Sequence, residues 1–464
     1  VDAGDQKKPG GLSDAGYYVI AVCVGAVVGL IGTVFHLSTD VISGWPVLFA
    51  DVQVSSVVRL LLMGAVAAIM VVASVWLVRT FAPEAGGSGV QEIEGALEGL
   101  RPVRWKRILP VKFVGGLLAL GSGLVVGREG PTIHMGASVA QAASEWLRLS
   151  TRDMRGLLAA GGAAGLAAAF NAPLAAILFV IEETRRQFPY GLRTYSAVIL
   201  ASVMSAIVTE SIAGARPDML IQVAEMPLVT LPAFVGLGVI LGVVGVVFNR
   251  TLIWSLDAAR TLGMRTSFYI LPAAVGLAIG VLLVVRPEAT LGGEKLAVTL
   301  AHENLPLLVL AGIVVIRFVM TMASYSTGVP GGIFAPILAL ATAVGVLYGT
   351  ALDAILPLPA GMVAALAIAG MGGLFSSTVR APLVGMVLVA ELTGAYTLLV
   401  PVILTCVFAN LVADALGGKP IYEVLLERTL RLAGQTPPPE TEASDDELGG
   451  WDQRERAGQE NAKS

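Results

Sequence analysis

Apolar stretches follow one another with little pause from about residue 17 to residue 425, separated by short connectors rich in Gly and Pro. A hydrocarbon layer about 30 Å thick takes ~20 apolar residues per helical crossing, so the pattern predicts about 10 to 18 crossing or half-crossing helices. The first is expected to begin near Tyr17. Several Gly/Pro breaks fall inside apolar stretches: GGSGVQEIEG at 86–95, GREGP at 127–131, FNAP at 170–173, GVPGGIFAP at 328–336 and VRAP at 379–382. Backbone leaves the helix at membrane depth only where protein or a polar cavity satisfies its N–H and C=O groups. These breaks are therefore expected to point inward, toward a pathway.

Composition agrees with a bilayer as solvent. Of 464 residues, 55% are hydrophobic and 14% charged, against roughly 25% charged in a soluble domain, and mean hydropathy is +0.79. The net charge of -4 conceals a split: residues 437–464 hold eight acids and three bases, leaving +1 for everything before them. There is no basic patch for a nucleic acid. Cys23 and Cys406 sit in apolar segments without metal or disulfide spacing and read as buried structural thiols. Residues 1–15 are polar and lack the order of a cleaved signal peptide.

The two halves of the chain resemble each other. A shift of 209 lays Ala160-Gly161 on Ala369-Gly370, Ala172-Pro173-Leu174 on Ala381-Pro382-Leu383, Glu182 on Glu391 and Thr184 on Thr393; a shift of 205 lays Gly127 and Pro131 on Gly332 and Pro336. Lys and Arg collect on the cytoplasmic side of membranes. Three first-half connectors are basic, around Arg101 to Arg107, Arg148 to Arg155 and Arg185 to Arg193, whereas their counterparts near 306–312, 353–360 and 394–402 carry no Lys or Arg. Equivalent loops thus face opposite sides. The expected fold is an all-α polytopic membrane protein of two inverted-topology repeats, its tilted and interrupted helices forming a pathway at their interface. The expected division is a polar cytoplasmic N-terminus over 1–16, repeats over 17–220 and 221–432, the second ending in a cytoplasm-directed helix, and an acidic, disordered cytoplasmic tail over 433–464.

A helix N-terminus offers unpaired N–H groups and about half a positive charge, an anion site without a fixed cation. GGSGV, GREGP and GGIFAP each read as a Gly-rich turn opening a helix, and neutral donors let a small anion leave again. Glu129 is the odd member, a carboxylate where the anion should sit. Either it is a helix-terminal acid or partner of Arg128, or it competes with the anion when ionised and swings away when protonated.

GSGVQEIEG, GREGP, GGIFAP and GGKPIY occur in the order and approximate spacing of the CLC family of chloride channels and proton/chloride exchangers, which the chain resembles over about residues 17–432. The resemblance implies that the Ser88 hydroxyl, the Tyr422 phenol and the amides of Ile333 and Phe334 hold the central anion. It likens Glu129 to the external gating glutamate and Glu183 to the internal proton-transfer glutamate of exchangers. Ser at position 88 goes with chloride preference in that family. Gln91 departs from the Pro of many members. Gly127, Arg128, Gly130, Glu94 and Glu182 form a supporting set. Read from residues alone, Glu182 and Glu183 pair with nearby arginines at a helix end; the proton-carrying reading of Glu183 is what the resemblance implies. Glu92 and Glu94 read as caps and salt bridges, with proton assistance an alternative for Glu94, and Lys112 reads as a snorkelling side chain or a source of positive potential.

The expected function is proton-coupled chloride antiport without a cofactor, its partners being chloride and other small monovalent anions, protons, the lipid bilayer and a second copy of the chain. The expected location is a prokaryotic inner membrane with both termini cytoplasmic. A passive chloride channel of the same fold is the main rival. A rhomboid-like intramembrane protease, with Ser88 as nucleophile and His134 as base, is a remote one that would need these two residues on facing helices.

Overall fold

A computed structural model describes residues 12–49, 55–183, 191–214, 219, 221, 223, 225–302 and 305–435. The basic connector at Arg185-Arg186, most of the N-terminus and the tail beyond residue 435 lie outside the described residues. The chain forms α1 (Asp14–Ser43), α2 (Ser56–Phe81), α3 (Val90–Leu97), α4 (Trp105–Gly121), α5 (Glu129–Trp146), α6 (Thr151–Phe170), α7 (Pro173–Glu183) and α8 (Leu192–Ala213). There follow α9 (Leu231–Arg265), α10 (Ile270–Val285), α11 (Glu294–His302), α12 (Leu307–Ser326), α13 (Phe334–Asp353), α14 (Met362–Val379), α15 (Pro382–Thr393), α16 (Leu399–Ala415) and α17 (Ile421–Leu432). Among the described residues eight spans are long and apolar enough to cross a bilayer, and α3, α7 and α15 are too short to do so.

Helices α1–α8 and α9–α16 match in order, down to small details. The tripeptide Pro-Glu-Ala makes a single 3₁₀ turn at Pro83–Ala85 and again at Pro287–Ala289. Helices α6 and α14 both end on a left-handed residue, Asn171 (φ 50°) and Arg380 (φ 69°), each two residues before the proline that opens the next helix. Helix α17, with no counterpart, is added after the second set.

At the centre of the core lie two helices with long fully buried stretches, as an apolar surround requires. In α6 every residue from Gly156 to Phe170 is buried, and in α14 every residue from Ala365 to Val379. The outer faces do the reverse: Leu30, Ile69, Val247 and Val319 stand exposed. Contiguous apolar surface of this kind would be a liability in water; lipid tails cover it without penalty. Cys406 is buried, but Cys23 is on the exposed face of α1, contrary to expectation. The helical pattern puts Cys23 on the side turned away from α6 and α8.

Close packing of α5 on α6 depends on glycine in a way that differs between neighbours. A Cβ on Gly161 would meet the Gly136 carbonyl oxygen and come within 2.7 Å of Ala140 Cβ, whereas one on Gly162 would find only Ile133 Cγ2 at 3.7 Å. Gly161→Ala should therefore cost about 1–3 kcal/mol through overpacking. Gly162→Ala should be neutral or gain up to about 1 kcal/mol through helix propensity. Thermal unfolding of the two variants in detergent checks this; equal shifts in midpoint would rule out backbone approach as the cause.

Candidate functional site

Three of the Gly-rich breaks meet at one place through backbone pairing. Gly127 N–H donates to Gly332 O (2.9 Å) and Gly332 N–H donates back to Gly127 O (2.7 Å). Beside this bridge, Gly87 N–H donates to Val329 O (2.9 Å) and Gly331 N–H to Gly87 O (3.1 Å). Segments that leave the helix at membrane depth thus satisfy one another's polar groups, as a bilayer demands. The bridges also fix the starts of α3, α5 and α13 side by side.

Ser88 lies between Gly87 (φ 65°) and Gly89 (φ 90°), left-handed conformations that favour glycine on both sides of it. Its amide donates to Tyr325 Oη (3.3 Å), and its buried hydroxyl has no hydrogen-bond partner in the protein. Tyr422, fully buried at the start of α17, stands beside Ser88, and its phenol is likewise unpartnered. Buried hydroxyls are seldom left unbonded without reason; two adjacent ones form a pair of donors for a desolvated acceptor. Ile333 caps α13 and Phe334 is its first residue, so their amides belong to the turn in which a helix leaves N–H groups unused.

Glu129 brings a carboxyl group to this point. Its Oε1 accepts a hydrogen bond from Ala335 N–H at the start of α13 (3.2 Å), although the residue belongs to α5 and the two are 206 positions apart. The carboxylate is fully buried. A Cβ on Gly127 would displace this carboxylate, and one on Gly332 would come within 2.5 Å of Oε1 and 2.8 Å of the Gly130 backbone nitrogen, so Gly332 must be side-chain-free. Gly130 has the same requirement toward Ser88, whose Cα, carbonyl oxygen and hydroxyl lie 2.8 Å from where its Cβ would be. Arg128 turns away to donate through Nε to Ala169 O (2.9 Å).

An aromatic wall encloses the start of α13. Phe334 stacks on Phe375 (4.9 Å, 28°), meets Phe179 edge-on (5.3 Å, 69°) and lies 5.9 Å from the Tyr422 ring, while Phe179 also meets Tyr422 edge-on (6.5 Å). Sequence reading missed Tyr325, Phe179 and Phe375, which lie within a few residues of the breaks at 328–336, 170–173 and 379–382 but look like ordinary apolar helix positions. Of the two readings of Lys112, the snorkelling one fails. That side chain is fully buried and does not snorkel: Nζ donates to Gly87 O (2.7 Å) and Ala85 O (3.1 Å), bracing the turn that presents Ser88.

The supporting acids separate into different surroundings. Glu92 forms a bidentate ion pair with Arg101 (2.9 and 3.1 Å). Glu94 is buried and interacts with Glu183, the last residue of α7; Glu183 is in turn within electrostatic range of Tyr422. Glu182 faces the other way, its carboxylate accepting from Leu383 N–H (3.3 Å) and Val384 N–H (2.9 Å) at the start of α15. His134 is buried against Gly89, and neither it nor the Ser88 hydroxyl has a hydrogen-bond partner. A nucleophile and base within reach would be bonded to each other; the protease geometry is absent at this pair.

Comparison with known proteins identifies the family. Residues 69–414 match the family model described as voltage gated chloride channel. The chain is 42% identical over 435 residues to the H(+)/Cl(-) exchange transporter ClcA of Vibrio parahaemolyticus, covering 93% of each. It is 44% identical over 421 residues to the ClcA of Salmonella paratyphi B, covering 89% of this chain and 88% of that one. Among solved structures it resembles a slow cyanobacterial Cl-/H+ antiporter, with a TM-score of 0.84 and 37% identity over 89% of this chain and 98% of that one. Meeting helix starts, a repeated half and these relatives lead to one statement: this chain is an integral membrane protein of the voltage gated chloride channel, or CLC, family.

Proposed function

We propose that this chain exchanges chloride for protons across a prokaryotic inner membrane, with both termini in the cytoplasm and as a homodimer. The observation that carries the reading is the Glu129 carboxylate seated on the start of α13, where an anion would be received, next to two buried hydroxyls without partners. The names of the relatives, H(+)/Cl(-) exchange transporter and Cl-/H+ antiporter, support the same substrates.

In this mechanism one pocket is shared by two anions. Chloride takes donors from the Ser88 and Tyr422 hydroxyls and from the amides of Ile333 and Phe334. Ionised Glu129 takes the Ala335 amide and excludes chloride electrostatically. Taking up a proton removes that charge, weakens the helix-start interaction and lets chloride in. Each proton on Glu129 is thereby linked to an anion movement, and the transition is a population shift of one side chain rather than a rocking of domains. Glu183 delivers protons from the cytoplasmic end, alongside Glu94, by a route that leaves the anion path near Tyr422. The chemistry is transport: no bond to carbon is made or broken.

Purified protein in liposomes should drive protons uphill when given only a chloride gradient; chloride flux without uphill pumping would leave a passive channel and end the exchanger reading. Glu129→Ala should still pass chloride while carrying no protons, as read by a chloride electrode and a pH electrode together. Glu183→Gln should keep chloride flux and lose proton transport. Tyr422→Phe removes one hydrogen bond to an anion, about 1.5 kcal/mol, so bromide affinity by calorimetry should fall about tenfold; unchanged affinity would take Tyr422 out of the site.

A further inference from the structure

The two short helices α7 and α15 exchange carboxylates. Glu391, near the end of α15, accepts hydrogen bonds from Leu174 N–H (3.1 Å) and Ala175 N–H (2.7 Å) at the start of α7. Glu182, near the end of α7, accepts from Leu383 N–H (3.3 Å) and Val384 N–H (2.9 Å) at the start of α15. The same shift of 209 that relates the repeats converts each donor and acceptor of one set into those of the other. The helices therefore lie antiparallel, closed at both ends by four charge-assisted bonds.

Each half of this arrangement needs the other. Pro173 and Pro382 open the two helices and have no N–H, so the residues that follow them carry the first donors. A carboxylate near the C-terminus of its own helix faces the negative end of that dipole, which is unfavourable. The neighbouring helix start offsets this with two donors and the positive end of its dipole. Neither acid gains this by itself.

Helix α7 connects the two parts of the proposed transport path. Phe179, in its middle, packs on Phe334 and Tyr422, and Glu183 is its last residue. We propose that Glu391 and Glu182 are positioning residues: by clamping the first and last turns of α7 they hold Phe179 against the anion site and aim Glu183 at its proton partners. The inference rests on the exchanger reading and on Glu183 as internal proton carrier. Glu391 touches neither anion nor proton in this scheme and acts only through α7.

The test is Glu391→Gln in the full chain, reconstituted in liposomes, with proton and chloride fluxes and the reversal potential measured together. A Gln amide offers one neutral acceptor in place of a charged pair, so α7 loosens while Glu183 keeps its chemistry. The expected result is a proton-to-chloride ratio reduced to less than about half of wild type, because proton transfer is sensitive to displacements of about 1 Å, with chloride flux retained. Loss of active protein alone would lower both fluxes together and leave the ratio and reversal potential unmoved; that outcome overturns the proposal. If Glu391→Gln does not fold, Glu182→Gln opens the other end and is read by the same ratio. A Glu183→Gln control separates the failures. If it loses coupling while the clamp variants keep the wild-type reversal potential, only the clamp is wrong. If it keeps coupling, the assignment of Glu183 is wrong and the clamp proposal falls with it.

Discussion

Everything in this molecule is arranged around the start of one helix meeting a carboxylate from another. Ala335 N–H, in the first turn of α13, donates to Glu129 of α5 inside a region from which water is excluded. An N–H group at a helix start is strong enough there to replace hydration and weak enough to let an anion go. That interaction requires a helix to begin at membrane depth. A helix beginning there requires its preceding residues to be unwound, and unwound backbone in a bilayer requires a partner. The paired Gly127–Gly332 and Gly87–Val329 bridges meet that requirement, each break satisfying another.

Two fully buried cations are used to hold turns in the interior. Lys112 gives its charge to two carbonyls of the turn before Ser88. Arg317, fully buried on α12, donates to the carbonyls of Thr290, Leu291 and Gly292, the turn that precedes α11 in the second half. Both cations lie at related places in the two repeats, on α4 and α12, where they brace the turn before the short third helix of each. A buried charge without such acceptors would be strongly destabilising. Outside this polar seam the protein packs by small residues, since lipid gives helices no hydrophobic reason to associate. Gly25 and Gly29 lie against Ala201 and Ser205, and Gly32 against Ala168, so that backbones approach to contact.

Symmetry links the two functions of the interior. One repeat contributes the carboxylate and Ser88, the other the helix start that receives the carboxylate. The same relation holds at the paired short helices, where each repeat's Glu caps the other's first turn. A two-fold arrangement of this kind puts the site between the halves, so neither half has a complete site alone.

The sequence by itself determined the solvent, the helical class, the internal duplication and the positions of the breaks, because hydropathy, Gly/Pro punctuation and charge asymmetry are local signals that a bilayer enforces strictly. Glu129 stood out from its motif, and the family resemblance added Ser88, Ile333, Phe334 and Tyr422; tertiary structure gathers these residues around the start of α13. What only the fold decided was who meets whom across a long sequence distance. Tyr325 receiving the Ser88 amide, Phe179 and Phe375 walling α13, Lys112 turned inward and Glu182 turned to α15 have no local signature. Each depends on how two distant helices cross, and crossings are set by the packing of many small contacts that no single stretch of chain encodes.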